Sequence, residues 1–588
     1  MVWLSMAMLT LFTLLTFVNS WHDARVFDDK GFMGPGADYR LDRLPEAFSR
    51  GLWDNTGGLY RPLLRLDFEL QSRLFGSWLE GYHLVNILLH LVTTLTLFGF
   101  VRYLLHSRHP GDKNLDLYAL LAALVFAVHP VHAEVVNSVF NKSSMYVSLA
   151  AIGGLWWLLS NLDKKPIRAW AGFGLVYCIA ILFKESALVL PGIAVAMIVL
   201  LTDGDLKARI RRFLPVFWLL IPIAIYFWVR SMIFATTGGN SVTGSEEVVS
   251  LFHATQVVGG QSQFTSIALL GKGMKMLAWP YPLRLHHFNP REIAIAAYIG
   301  LQVLLGGWAV YLLVKGRPML AFALVFYYLA LAPSVRLINL TDAGPHIAER
   351  YLYFPSVALT LALAFGFRTL ATHLGRKPLS LIMLPVLLTL ATISWDRNAD
   401  WISEAQLFEF EYQLGSRKAT FLGKLLTTHF FDDRFARVVE ICSDNSTIVQ
   451  KKYNLVNTCA VAYLGLRRTD AAIAMLDDFA GTGKDEDWIK ARLQLASIHL
   501  MLRQTQKAVG QYATILDGVE DPASKAQYKG EMLLNVFPDD PEQLTLARNL
   551  FQQAIALNPE LGVARSRIDQ IDKKLARFDL PSEPGDSN

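Results

Sequence analysis

The sequence predicts an all-α fold: a polytopic membrane bundle of about eleven spanning helices, followed by a C-terminal α-solenoid of repeated helices. Three observations point there. Of 588 residues, 53% are hydrophobic and only 18% charged, where a soluble globular chain carries roughly a quarter charged residues. Apolar stretches of membrane-crossing length recur up to about residue 395. Beyond Trp395 the composition becomes that of a soluble helical domain, with small residues recurring at a repeat-like spacing. A net charge of +5 fits basic loops beside a membrane and does not suggest nucleic acid. Three cysteines, Cys178, Cys442 and Cys459, exclude a disulfide-dense scaffold and a Cys-based zinc site.

A spanning helix needs about 20 apolar residues, fewer where polar faces are turned inward. The candidates are 2–19, 83–105, 117–131, 143–160, 169–183, 186–202, 213–231, 293–314, 318–333, 351–368 and 379–394. The first lacks a basic leader and a small-residue cleavage site, so it is expected as a retained helix. Short loops carrying Arg102, Lys164, Lys165, Arg168, Lys207, Arg211, Lys315 and Arg376 alternate with longer mixed loops at 20–82, 132–142, 184–185, 232–292 and 334–350. The positive-inside rule assigns the basic set and the N-terminus to the cytoplasm. The mixed loops and the C-terminal domain then lie outside, in the periplasm or another extracytoplasmic space. The apolar stretch Phe264 to Trp279 is bracketed by polar sequence and is expected to lie along the outer membrane face.

The domain boundaries follow: 1–395 in the membrane, 396–580 as repeats, and 581–588 as a polar, disordered tail. Ala547, Phe551, Ala554 and Pro559 match the second half of a tetratricopeptide unit, where small residues permit close helix packing. Ala496, Ala508 and Tyr512 belong to a preceding unit, and Ala460, Tyr463 and Ala472 to another. Further helices over 405–450 are expected to complete the stack. Cys442 and Cys459 fall in neighbouring helices, where a disulfide and two buried thiols both remain open.

Polar motifs recur where helices reach the outer side. Asp28 and Asp29 leave the first helix together, and ionisable groups at a membrane boundary are costly unless solvated or paired. Arg61 lies in the first loop. His83, Asn86 and His90 share one helical face, with interhelical hydrogen bonds the expected role of His90. His129, His132 and Glu134 surround Pro130, whose ring spoils the helical register of a metalloprotease HExxH site. Lys142, Lys184, Glu185, Glu349 and Arg350 complete the set. An unpaired Lys184 between two apolar runs would cost at least about 2.5 kcal/mol, so structural ion pairing and ligand binding both stay open there. Cations at membrane depth beside carboxylates suit a lipid-linked phosphate, its tail in the bilayer and its oxygens gripped by Arg or Lys.

The ordered series Phe27-Asp28-Asp29, Tyr60-Arg61-Pro62-Leu63, Tyr82-His83-Leu84-Val85-Asn86, His129-Pro130-Val131-His132, Lys184-Glu185, Glu349-Arg350-Tyr351 and Arg397-Asn398 resembles the GT-C glycosyltransferases. Within them it is most similar to the transmembrane, tetratricopeptide-containing protein O-mannosyltransferases. The resemblance implies inverting transfer of mannose or another hexose from a polyprenyl-phosphate donor to Ser or Thr hydroxyls of exported proteins. It assigns the base to Asp28, with Asp29 beside it, and the donor phosphate to Arg350 assisted by Lys184 and Arg61. His83, His129, His132, Glu134, Lys142, Glu185 and Glu349 would line the substrate cavity. No metal site or cofactor is implied, the lipid-linked sugar being a co-substrate. The acceptor polypeptide would dock on the repeats. Asn141-Lys142-Ser143-Ser144 departs from the Gly-Arg-Ala-Asp stretch of relatives, and the compact loops with few repeats point to a bacterial member. A lipid or glycan acceptor, such as lipid A, is the alternative for the same donor chemistry. A transporter or assembly scaffold is the non-enzymatic one, disfavoured because the polar motifs cluster at one face.

Overall fold

The computed structural model describes residues 2–32, 46–52, 59–235, 263–285, 287, 292–335, 347–481 and 485–578. Most of the expected loops 232–292 and 334–350, part of the loop 20–82 and the tail 581–588 lie outside the described residues. Among the described residues every element is helical apart from one isolated bridge between His287 and Ile347. The chain divides into two compact units, residues 1–407 and 408–588.

In the first unit the main helices are α1 (Val2–Phe17), α2 (Pro62–Phe75), α3 (Leu79–Arg108), α4 (Leu115–Val128), α5 (Ala133–Asn137), α6 (Ser143–Asn161), α7 (Pro166–Phe183) and α8 (Leu190–Leu201). They continue through α9 (Leu206–Phe213), α10 (Leu220–Ala235), α11 (Gln263–Ala278), α12 (Glu292–Val314), α13 (Pro318–Leu331), α14 (Ser356–Leu374) and α15 (Arg376–Ala399). Each of the apolar stretches picked out by hydropathy is a helix. Among the described residues eight helices are long and apolar enough to cross a bilayer, and α4 joined to the bent segment Pro130–Asn137 makes a ninth. Two more, Glu185–Leu201 and Pro318–Leu331, are apolar but shorter. The protein is a multi-pass membrane protein.

The bundle is built around α4, which packs against α1, α3, α14 and α15. Its residues from Tyr118 to Val128 are all buried, as expected of a helix that is apolar all round. Close helix approach uses glycine where a large ring faces it. A Cβ on Gly99 would sit 2.7 Å from the Trp156 ring, and one on Gly172 would sit 2.2 Å from Trp157 Nε1. Pro130 ends α4 and bends the chain by 47° into Pro130–Asn137, which turns the polar residues after it across the end of the bundle. The helix α11 packs beside α12, and Tyr327 Oη of α13 donates to its Leu270 carbonyl at 2.6 Å.

The second unit is a run of helices packed on their sequence neighbours: α16 (Ala419–Phe431), α17 (Phe435–Asp444), α18 (Tyr453–Gly465), α19 (Thr469–Ala480), α20 (Glu486–Met501), α21 (Thr505–Gly518), α22 (Pro522–Val536), α23 (Pro541–Leu557) and α24 (Gly562–Phe578). Ala460, Ala472, Ala496, Ala508, Ala547 and Ala554 are fully buried where helices meet. Asp433, Arg467 and Arg503 adopt positive φ of 56°, 59° and 58°. Each is the second residue past a helix end, in equivalent turns between consecutive helices. A disulfide joins Cys442 of α17 to Cys459 of α18, with a Cα–Cα distance of 6.2 Å.

Candidate active site

The first acidic pair sits on a tight turn, Phe27–Gly31, after α1. Phe27 has φ of 60°, a region where a bulky side chain is strained. Its N–H donates to Glu404 Oε1 at 3.2 Å, and Lys30 pairs with the same carboxylate. This turn sends the two neighbouring carboxylates to different places. Asp29 is fully buried. Its Oδ1 accepts from the Ser138 hydroxyl at 3.0 Å and the Phe140 N–H at 2.8 Å, while Oδ2 accepts from the Val139 N–H at 3.0 Å. Burial pushes its carboxyl up to about 7 against those three donors, and the Asp28 charge adds to the rise. Asp28 stays half-buried, and its charge reaches Arg350.

Arg350 stands in the turn Glu349–Tyr351 before α14. Glu134 accepts from its Nη1 at 2.5 Å and from its backbone N–H at 2.8 Å. Burial opposes the guanidinium charge, but Glu134, then Tyr351 and Asp28, hold it above the ordinary arginine range. Its Nε and Nη2 are unengaged among the described residues, so two nitrogens with their N–H groups remain for a ligand. Lys184, at the C-terminus of α7, donates to Ser144 Oγ at 2.7 Å. Its ammonium lies within electrostatic reach of Arg61, Glu185, Arg350 and Glu134. Arg61 grips Glu185 through Nε at 2.9 Å and Nη2 at 2.6 Å, a bidentate fork. The structure therefore gathers Asp28, Glu134, Lys184, Glu185, Arg61 and Arg350 from five parts of the chain into one charged cluster.

The remaining expected residues are held elsewhere. His83 Nε2 meets the Ala24 carbonyl at 3.0 Å, and its ring lies 4.2 Å from that of His22. His129 uses Nε2 on the Leu277 carbonyl at 2.9 Å and accepts at Nδ1 from the Val131 N–H. His132 meets Ser356 Oγ at 2.9 Å and packs with His90 and Tyr353, whose hydroxyl meets His90 Nδ1 at 2.8 Å. The interhelical role expected of His90 is thus what it does. Lys142 is fully buried in an ion pair with Asp67 at 2.6 Å, 4.5 Å from the centre of the Phe68 ring. Glu349 points away from its neighbour Arg350 and is paired with Arg397 at 2.8 Å, which also holds Asp400. The Arg397-Asn398 motif thus braces the turn that presents Arg350, with Asn398 bridging Asn137, Asn19 and the Thr16 carbonyl.

Three participants were not singled out in the sequence. Asp67 neutralises Lys142, Glu404 anchors the acidic turn, and Ser144 accepts from Lys184 while its hydroxyl reaches the Arg350 carbonyl at 3.4 Å. Ser144 lies in the stretch that departs from the relatives' pattern, which was the only signal available.

The family described as dolichyl-phosphate-mannose-protein mannosyltransferase matches residues 62–232, a segment holding Glu134, Lys142, Lys184 and Glu185. The mouse protein O-mannosyl-transferase TMTC4 is 27% identical over 451 residues, covering 67% of this chain and 60% of that protein. A Caenorhabditis elegans protein O-mannosyl-transferase is 24% identical, covering 62% of this chain and 51% of its own length. The human protein O-mannosyl-transferase TMTC3 is 25% identical, with 66% and 45% covered. This chain resembles the GT-C protein O-mannosyltransferases. It spans between about half and three fifths of the length of these relatives. Asp28 and Arg350, the likeness to O-mannosyltransferases notwithstanding, fall outside the segment matched by the family.

Proposed function

We propose that the chain is a membrane mannosyltransferase that moves a sugar from a polyprenyl-phosphate donor to Ser or Thr hydroxyls of exported polypeptides, with inversion. The observation carrying this reading is that Lys184 and Arg350 meet at one residue, Ser144 accepting from the Lys184 ammonium at 2.7 Å while its hydroxyl reaches the Arg350 carbonyl at 3.4 Å, with Glu134 paired to Arg350 beside them. Arg350 and Lys184 supply donors for the carrier phosphate, and Glu134 fixes the guanidinium that grips it. Asp28 takes the proton of the acceptor hydroxyl. The freed oxygen attacks the anomeric carbon as the bond from that carbon to the phosphate oxygen breaks, and the phosphate leaves with its electron pair toward Arg350. A phosphate leaving group needs charge neutralisation more than a general acid. Asp29, locked on three donors, positions the turn and leaves the base role to its neighbour.

The N-terminus and the basic loops face the cytoplasm in this reading, and the repeats face outward, where α16 to α24 form a tetratricopeptide-like solenoid for the acceptor. The Cys442–Cys459 disulfide supports an oxidising compartment for that unit.

The test is reconstituted transfer from polyprenyl-phosphate mannose to a Ser/Thr peptide, read by mass spectrometry. A hexose addition on the peptide is expected. Arg350→Ala should raise the KM for donor by at least about tenfold, the loss of a charge-assisted phosphate contact. Sugar appearing only on lipid, or unchanged donor kinetics in the variant, would refute the proposal.

A further inference from the structure

At the opposite end of α7 from Lys184 lies a groove of about 550 Å³, lined by Ile167, Trp170, Ala171, Gly174, Trp218 and Leu219. Its wall is almost wholly apolar, and Ile167 and Trp218 are 85% and 73% exposed. The groove opens at the start of one spanning helix, Pro166–Phe183, and within another, Leu206–Phe234, so it meets lipid at a membrane boundary. Basic side chains fringe it. Lys164 and Lys165 directly precede Pro166, and α9 carries Lys207, Arg209, Arg211 and Arg212. The Trp170 Nε1–H of the groove wall donates to the Arg212 carbonyl at 3.0 Å, which fixes α9 against the groove mouth. Arg212 is taken by Asp163 at 2.8 Å and Arg209 by the Val199 carbonyl at 2.8 Å. Lys164, Lys165 and Arg211 are exposed and have no ion-pair partner among the described residues.

We propose that this groove binds an anionic phospholipid, one acyl chain lying between Trp170 and Trp218 and the phosphate held by Lys164, Lys165 and Arg211. Charge complementarity selects the headgroup, because clustered cations beside an apolar slot attract an acidic lipid far more than a zwitterionic one. The site is separate from the sugar-transfer cluster. The 18 residues of α7 rise about 27 Å, nearly the roughly 30 Å hydrocarbon thickness of a bilayer. A carrier whose phosphate sits by Lys184 therefore belongs to one leaflet, and the lipid proposed here to the other. Lipid binding in this groove depends on the membrane-spanning helices and not on sugar transfer.

The test is native mass spectrometry of the purified full-length protein with added dioleoylphosphatidylglycerol or dioleoylphosphatidylcholine. The wild type should retain phosphatidylglycerol in preference to phosphatidylcholine. Lys164→Gln, Lys165→Gln and Arg211→Gln combined should lower phosphatidylglycerol retention by at least about tenfold, leaving phosphatidylcholine adducts unchanged. Ala171→Trp, which fills the groove without touching a charge, should lower it as well. A phosphatidylglycerol with a photoactivatable acyl chain should label Trp170 or Trp218 in the wild type. Equal retention of the two lipids, unchanged retention in the triple variant, or labelling confined to other helices would overturn the site.

Discussion

Replacing Asp29 by asparagine separates the two adjacent carboxylates. In the native turn three donors converge on Asp29, two on Oδ1 and the Val139 N–H on Oδ2. An asparagine can keep its oxygen at the Oδ1 position and still accept from Ser138 and Phe140. Its amide nitrogen then faces the Val139 N–H, donor against donor. One buried unpaired donor costs about 1–3 kcal/mol, so Asp29→Asn should lose roughly 2 kcal/mol, a factor of about thirty in the folding equilibrium. Alanine would leave all three donors unpaired, roughly 3–9 kcal/mol against a typical total of 5–15, and should destabilise the fold far more than asparagine does. Asp28→Asn touches none of these bonds. It should cost less stability than Asp29→Asn while peptide glycosylation falls by at least about a hundredfold, the range of a lost general base. Unfolding of each purified variant at pH 7.5, followed alongside reconstituted transfer, gives both quantities. Wild-type stability for Asp29→Asn, or wild-type transfer for Asp28→Asn, would refute the division of labour between them.

The raised Asp29 carboxyl also predicts a pH slope. Its folded value of about 7 lies above the ordinary 3.8, so the folded state holds a proton that the unfolded chain sheds, and this stabilisation is present below about pH 4 and lost as pH rises through about 7. Asp29→Asn should lack that slope, so its stability gap to the wild type widens on going from pH 7.5 to pH 5; a gap that narrows would contradict the assignment. Lys142→Met leaves Asp67 charged without its cation and should destabilise the protein by about 3–5 kcal/mol, with Asp67→Asn in the same chain recovering much of the loss in the same unfolding assay. The Cys442–Cys459 bond closes a loop of 17 residues, so Cys442→Ser in the full chain should cost roughly 3 kcal/mol. Limited proteolysis under oxidising conditions should then cut the 408–578 region faster in the variant than in the wild type.

Much of this architecture is legible in one dimension because each apolar stretch must satisfy its own backbone hydrogen bonds within the bilayer. Hydropathy alone therefore finds the membrane helices, and the recurring alanines at 472, 508 and 547 find the packed helix pairs because only small side chains fit at those contacts. The candidate site was legible as a set of residue types and not as a set of partners. Nothing near Asp28 or Asp29 in sequence distinguishes them. The positive φ of Phe27 and the three donors of the 138–140 turn make one a buried anchor and leave the other half-buried outside that donor set. Likewise Glu349 and Arg350 are adjacent in the chain, yet one is spent on Arg397 and the other is presented by Glu134. Local propensity and apolar length determine which segments become helices. Pairing between charges hundreds of residues apart depends on which helix ends the bundle brings together, and only the tertiary structure decides that.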